Sequence, residues 1–530
     1  MFGFHSRHRS LIPVKGLDLL DEKLKMRLEE EQMEVEMEYA PRSPRDNRNL
    51  TMVFLLFLAE GIMASSLSAQ VGTLLPEAGG CLGVSSSFVQ SLLDCAYFFG
   101  GTAGLGWGWV CDRMGRRKVA LGGLLAMAVC CACMGLATGL AACAALRFVA
   151  GAVSSAVSVA ALSMLADLTH GRNDRTKLVA RLPLVTVCGS IGPLASRALQ
   201  RVAQAGESEG LNRLPSMVPQ IACAGLVLAI AVAEVCLLEE TLPSYQPVVH
   251  TIDDHDCEKT AFLGETGDSL NISIIEALND DAARPLPSQI GLLQMASAPS
   301  ILILVTSFSL LSLQSSIFDV LLPHLGHTAS HEAGLGISCA WLGPLLLAIK
   351  ALAALRILHL VPSVVSCAGV LPMFRRISVV FPALYLIVLL MTFGSQIAGL
   401  DATASTAVFN TIAIFIKTTL SGAAQVLVLL LVLSSAPEAS ATGTLIGITS
   451  ISGLFRAFAV CASGLSYYVS DEYSVMAVNA VSWAVLVAVA LTGTLVTLKL
   501  REAPRVGADI PADCLAWEGM FDAESDDDEA

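Results

Sequence analysis

Apolar residues run through this chain in blocks of about the length needed to cross a membrane, about 20 residues each, separated by short polar breaks. The blocks fall near 50–75, 87–109, 118–139, 142–167, 178–200 and 216–238, and again near 296–322, 334–360, 376–398, 404–434, 442–468 and 473–499. The pattern predicts an all-α integral membrane protein of twelve transmembrane helices in two six-helix bundles, 50–238 and 296–500. A tail (1–49), a central loop (239–295) and an acidic tail (501–530) complete the expected division. Within the disordered tail, Leu17 to Tyr39 is rich in Glu and reads as a solvated helix that ends at Pro41-Arg42-Ser43-Pro44, where Ser43-Pro44 offers a weak proline-directed phosphorylation signal.

Charge then orients the array. Only 15% of residues are charged, against roughly a quarter in soluble domains. The cations gather in the loops after the second, fourth and eighth blocks: Arg113/Arg116/Arg117/Lys118, Arg172/Arg175/Lys177/Arg181 and Arg375/Arg376. Lys and Arg are retained on the inner side, so both tails and the central loop are expected in the cytoplasm, and the sequon at Asn271 is expected to stay unglycosylated. A net charge of −14 without a basic arm argues against a nucleic-acid partner. The fifteen cysteines are scattered, with neither zinc-ligand spacing nor a secretory framework. Neither a metal nor another cofactor is expected. The polar first fifty residues show no cleavable signal peptide, so insertion is expected to begin at the first apolar block.

One stretch carries more information than topology requires. Gly108, Asp112, Arg113, Gly115, Arg116 and Arg117 form a G-x-x-x-D-R-x-G-R-R pattern between the second and third blocks. It resembles the signature of major facilitator superfamily transporters, and the resemblance implies a charge-linked latch that changes partners as the two halves rock. Arg147 to Gly151 is similar to that family's R-x-x-x-G pattern in the fourth helix, and Gly189, Gly192 and Pro193 resemble its G-x-x-G-P antiporter motif. The Gly pair that usually follows is replaced by Ser196-Arg197. Glu60-Gly61, Leu238-Glu239-Glu240-Thr241-Leu242-Pro243, Gly369 with Arg375, Ser435-Ala436-Pro437 and Arg456-Ala457 resemble elements of the fungal drug/proton antiporter-like group related to plant zinc-induced facilitators. Gly61 stands where that group has proline, Ile446 where it has asparagine, and the Gly-Pro after Arg-Ala is absent.

The buried ionisable residues supply candidate chemistry. Glu60, about ten residues into its helix, reaches mid-membrane at 1.5 Å per residue. Glu60 and Asp94 can take up protons, with Arg147 tuning them, so these three are the proton-coupling candidates. Asp319, Lys350 and Lys417 also lie inside apolar blocks, where a charge needs a partner or a wet cavity. Gln314, Trp341, Lys350, Lys417, Gln425 and Arg456 are the candidate cavity lining, and the lysines favour an anionic or zwitterionic substrate. The expected function is secondary active transport of a small organic molecule by alternating access, by proton antiport that effects efflux or organellar loading. The expected partners are lipid, protons and substrate, the chain acting as a monomer in the plasma or vacuolar membrane. The alternative is a non-transporting receptor or scaffold of the same fold. No nucleophile–base constellation suggests an enzyme.

Overall fold

The structure is a computed structural model that describes residues 42–65, 86–137, 139–169, 171–192, 195, 198–199, 214–241, 296, 298–327, 339–397, 404–436, 441–470 and 475–500. All regular structure among these residues is helical: α1 (Pro44–Ser65), α2 (Ser86–Gly101), α3 (Gly104–Met114), α4 (Arg116–Leu136), α5 (Leu140–Asp167), α6 (Arg172–Val179), α7 (Leu182–Gly189), α8 (Leu214–Leu237), α9 (Pro299–His327), α10 (Cys339–Ala368), α11 (Val370–Ile397), α12 (Ala404–Ser434), α13 (Thr442–Thr449), α14 (Ser452–Ser470) and α15 (Val475–Lys499). Ten helical stretches among the described residues are long and apolar enough to cross a membrane. The second span (α2–α3) and the fifth (α6–α7) are made of shorter pieces, so the helices account for twelve spans.

Several boundaries differ from the sequence reading. The first helix starts at Pro44, because Ser43 caps it: the Asp46 amide donates to Ser43 Oγ at 3.0 Å. Ser43-Pro44 thus starts a helix inside the stretch expected as tail. Gly108, Asp112 and Arg113 lie on the last turns of α3, and the expected basic loop shrinks to Gly115 alone, at φ 101°. Likewise, Arg375 and Arg376 are helical, and the turn before them is Gly369 at φ 80°. Arg172 to Val179 forms the first two turns of the fifth span. That span breaks after eight residues and resumes at Leu182, and the eleventh span, its counterpart in the second half, also breaks after eight and resumes at Ser452.

The outer surface is apolar. Leu125, Val129 and Leu136 of α4, Val232 of α8, Phe458 of α14 and Leu495 of α15 are each at least half exposed, as side chains facing lipid would be. Between helices, glycine permits backbone contact where lipid provides no hydrophobic force for association. A Cβ on Gly151 would lie 1.9 Å from the Tyr97 carbonyl, and one on Gly100 2.0 Å from that of Phe148. This locks α2 against α5. Gly151→Val should therefore abolish monodisperse protein in fluorescence size-exclusion, whereas Gly101→Ala, whose Cβ would meet nothing within 4 Å, should elute like the parent. The halves touch along α2–α14, α3–α13, α5–α13, α6–α10, α6–α12 and α7–α10.

Candidate functional site

At the face carrying the basic motif, Asp112 reaches from α3 to the start of α13. Its Oδ1 accepts the Gly443 amide at 3.0 Å, and its Oδ2 accepts the Thr444 amide at 2.6 Å and the Thr444 hydroxyl at 2.7 Å. These are the orphan N–H groups of a helix N-terminus, where negative charge is favoured. Gly108 allows the approach, since a Cβ there would stand 2.3 Å from the Gly443 carbonyl. Arg116, fully buried, is ion-paired to Asp167 and donates to the Ser163 carbonyl at 3.1 Å, while its Nη2 lies 3.9 Å from Asp112. Glu240 accepts the amides of Arg116 and Arg117 at 2.9 and 3.2 Å, capping α4, and Gly115 leaves room for it. Arg117 also donates to the Val235 carbonyl at 2.8 Å, whereas Arg113 turns outward over the Trp109 ring, 4.1 Å from its centroid. A second bridge joins the halves at this face, where Arg175 donates to the Leu433 carbonyl at 3.3 Å, at the C-terminal end of α12.

Deeper, the first half holds two carboxylates with different partners. Arg147 is 1% exposed; its Nη2 donates to Asp94 at 3.2 Å and to the Ala64 carbonyl at 2.9 Å, and its Nη1 donates to the Met63 carbonyl at 3.3 Å. The guanidinium also lies 4.6 Å from the centroid of the Tyr97 ring, whose hydroxyl donates to Ser154 at 2.8 Å. Arg147 is therefore held in the interior and does not reach towards a membrane surface. Glu60 shares a hydrogen bond with Ser158 of α5 and faces Arg456, which belongs to the other half and stacks 5.9 Å from Phe98. Arg147, the expected tuner of both carboxylates, is ion-paired to Asp94, and the charge of Arg456 acts on Glu60 from the other half.

In the second half, Lys417 Nζ lies 3.1 Å from Asp319 and 4.0 Å from the centroid of the Phe318 ring. The lysine side chain is 4% exposed and the aspartate 57%. Asp319 is thus the exposed member of the pair, and the charges of Lys350 and Arg456 also act on it.

The remaining sequence-derived candidates scatter. Gly189 meets Gly61 backbone to backbone, a Cβ on it falling 2.7 Å from Gly61 Cα, and Gly192 lies against Ser65. The glycine that replaces the group's proline at position 61 is what lets α1 and α7 touch. Pro193 lies outside the described residues, as do the side chain of Trp341, Leu17 to Tyr39 and Asn271. Gln314 is 4% exposed and lines a small cleft inside the second half with Ser307, Ser378 and Thr494, apart from the charged cluster. The sequence could not place it, because an all-apolar helix does not declare which face turns inward. Gln425 is half-buried two turns from Lys417, towards the basic face. Sequence reasoning met Glu240 only within a resemblance and did not foresee it as the cap of α4. It passed over Asp167, the partner of Arg116, and Glu234, fully buried on the inner stripe of α8 with Val227, Ile230, Ala231 and Leu238.

Residues 50–460 match the sequence pattern of the Major Facilitator Superfamily. The chain belongs to this superfamily. It is a membrane transporter by family and not an enzyme. A major facilitator superfamily multidrug transporter of Aspergillus fumigatus, mfsB, is 23% identical over 463 residues, which is 76% of this chain and 74% of the relative. Among solved structures, the human organic anion transporter MFSD10 (TETRAN) superposes with TM-score 0.57 at 15% identity, over 86% of this chain and all of its own. The proton:xylose symporter XylE gives TM-score 0.55 at 14% identity, over 86% of this chain and 97% of its own. At these identities the likeness extends to the fold.

Proposed function

We propose that this transporter moves a small organic molecule by proton-coupled antiport, alternating access to a central site formed by Glu60, Arg456, Asp319, Lys417 and Lys350. The observation that carries the reading is that a mid-membrane carboxylate, Glu60, lies within electrostatic reach of a cation of the other half, Arg456, without an ion pair between them. A charge at mid-membrane costs about 2.5–3.5 kcal/mol or more when alone. Arg456 meets that cost only while the halves hold it near, so the affinity of Glu60 for a proton depends on how they are arranged. A group whose proton affinity differs between two states biases the equilibrium between them. Ser158 suits both forms. Its hydroxyl donates to the Ser154 carbonyl at 3.0 Å, leaving its oxygen to accept from a protonated Glu60, or it turns to donate to the carboxylate. Asp94, already satisfied by Arg147, is the secondary proton site.

The latch at Asp112 acts in the same cycle, closing one face while the centre is open to the other. The basic motif face is cytoplasmic, the transported molecule moves out of the cytosol or into an organelle, and the chain works as a monomer in the plasma or vacuolar membrane. Kinship with the fungal drug/proton antiporter-like group is supported by the motifs and by the multidrug relative. Proteoliposomes with an imposed pH gradient and a panel of anionic, cationic and neutral compounds test the reading. Uptake of at least one compound should collapse when the gradient is dissipated; a panel indifferent to the gradient would favour the receptor or scaffold. For topology, no glycan is expected at Asn271 in native membranes, and a mobility shift after glycosidase treatment, lost in Asn271→Gln, would reverse the orientation.

A further inference from the structure

Glu234 lies one turn from the end of α8, on the stripe that α8 packs against its neighbours α1 and α4. It is fully buried, and neither carboxylate oxygen has a hydrogen-bond partner among the described residues. The charged groups of the packed helices are engaged elsewhere or stand apart. On α1, Arg45 and Arg48 pair with Glu239, Asp46 belongs to the helix cap, and Glu60 lies deeper with Ser158. On α4, Arg116 pairs with Asp167, Arg117 donates to the Val235 carbonyl, and Lys118 is exposed. Burial is the influence that acts on Glu234, with no charge beside it. An isolated carboxylate is so costly in such surroundings that the group stays neutral.

The end of α8 is also a clamp on two other helix starts. The Val235 carbonyl accepts from Arg117 at 2.8 Å, and the Glu239 amide donates to Asn49 of α1 at 3.2 Å. Glu240 accepts the first two amides of α4 at 2.9 and 3.2 Å. The Leu238 amide donates to the Glu234 carbonyl at 2.9 Å, so the clamp is continuous with the buried acid.

We propose that Glu234 is a proton-operated pin of this clamp. As the neutral acid it seats the end of α8; on losing its proton it draws that end out towards water and frees the start of α4. With the proton bound the clamp is shut, and as rising pH removes the proton the clamp opens. Only Gly115 separates α4 from α3, which carries Asp112, so the loosened joint lies directly behind the latch. Neither substrate nor antiport enters this device, which stands or falls apart from the transport reading.

Two measurements on the purified full-length protein across a pH series test it: infrared spectra, taken as parent minus Glu234→Gln, and hydrogen–deuterium exchange at the Arg116 and Arg117 amides. The difference spectrum should carry the carbonyl stretch of a protonated carboxylic acid, and that band should fade as the pH rises. Over the same interval, exchange corrected for its intrinsic pH dependence should quicken about tenfold in the parent, the share of one hydrogen bond to a charged group. In Glu234→Gln it should stay slow throughout. Glu234→Met, also neutral, carries the test if the glutamine variant fails to fold. Absence of the acid band would overturn the proposal, as would exchange in the parent that stays flat while the band fades. The same alkaline quickening in the neutral variant would also overturn it.

Discussion

Glu60→Gln should abolish accumulation driven by a pH gradient while substrate exchange between the two sides of the membrane continues. Glutamine reproduces the shape and hydrogen bonding of the protonated acid, so Ser158 keeps a partner and the fold has no reason to change. What is lost is the negative charge that Arg456 meets across the two halves. Without it the protonated-like state is permanent, and the proton gradient has no group at this position to act on. The loss should be complete within the sensitivity of a vesicle assay, since no rate remains to be driven. Asp94→Asn should be milder, because the carbonyls of Met63 and Ala64 still hold Arg147. Gradient-driven uptake in Glu60→Gln with the parent's pH dependence would remove Glu60 from the coupling.

The second large effect is expected at the latch. Asp112 makes three hydrogen bonds to the start of α13, and bonds to a charged group contribute about 1.5–3 kcal/mol each, not additively. In Asp112→Asn the volume is kept and the charge at the helix N-terminus is gone. A loss of about 2 kcal/mol corresponds to some thirtyfold in the closed-to-open ratio at this face. Expression should stay near the parent's, because Asp167 keeps Arg116 paired, whereas transport should fall. Hydrogen–deuterium exchange gives the direct measurement: amides of the Thr442–Thr449 segment should exchange at least tenfold faster. Unchanged exchange in that segment with unchanged transport would reduce the motif to a topology signal.

How much of this could be read beforehand depends on the kind of information. Hydrophobic blocks located the spans because the bilayer demands continuous apolar length, and the superfamily motif identified the fold. The ends were less legible. Asn47, Arg48 and Asn49 look like tail, yet they form the first turns of α1, where Asn49 Oδ1 accepts the Glu239 amide at 3.2 Å. The break at Ala180–Arg181 is followed by Pro183 in the first turn of α7, and that at Ser450–Ile451 lies between Gly447 and Gly453, but inside long apolar blocks neither signal announces a break. Isolated charges within apolar blocks stood out, so Glu60, Asp94, Arg147, Asp319 and Lys417 were visible as individuals. Their pairing was not, because it depends on which helices become neighbours. Arg147 could serve either carboxylate by composition; geometry gives it Asp94 and hands Glu60 to the far half. Glu234 was hidden by its neighbours Glu239 and Glu240, which made the end of its block look like an ordinary polar flank.

The two bridges at the basic face differ from most ion pairs in what receives them. Asp112 is met by the amides of Gly443 and Thr444, and Arg175 by the carbonyl of Leu433. Backbone atoms persist through nearly every substitution, so the vulnerability of this closure lies on one side only. Thr444→Val would remove a single hydroxyl, whereas Asp112→Ala removes all three bonds at once. The second half can therefore vary its sequence at these positions and still be gripped, provided Gly443 stays small enough for the aspartate to arrive. Drift in the second half is tolerated, and specificity for its partner resides in the first.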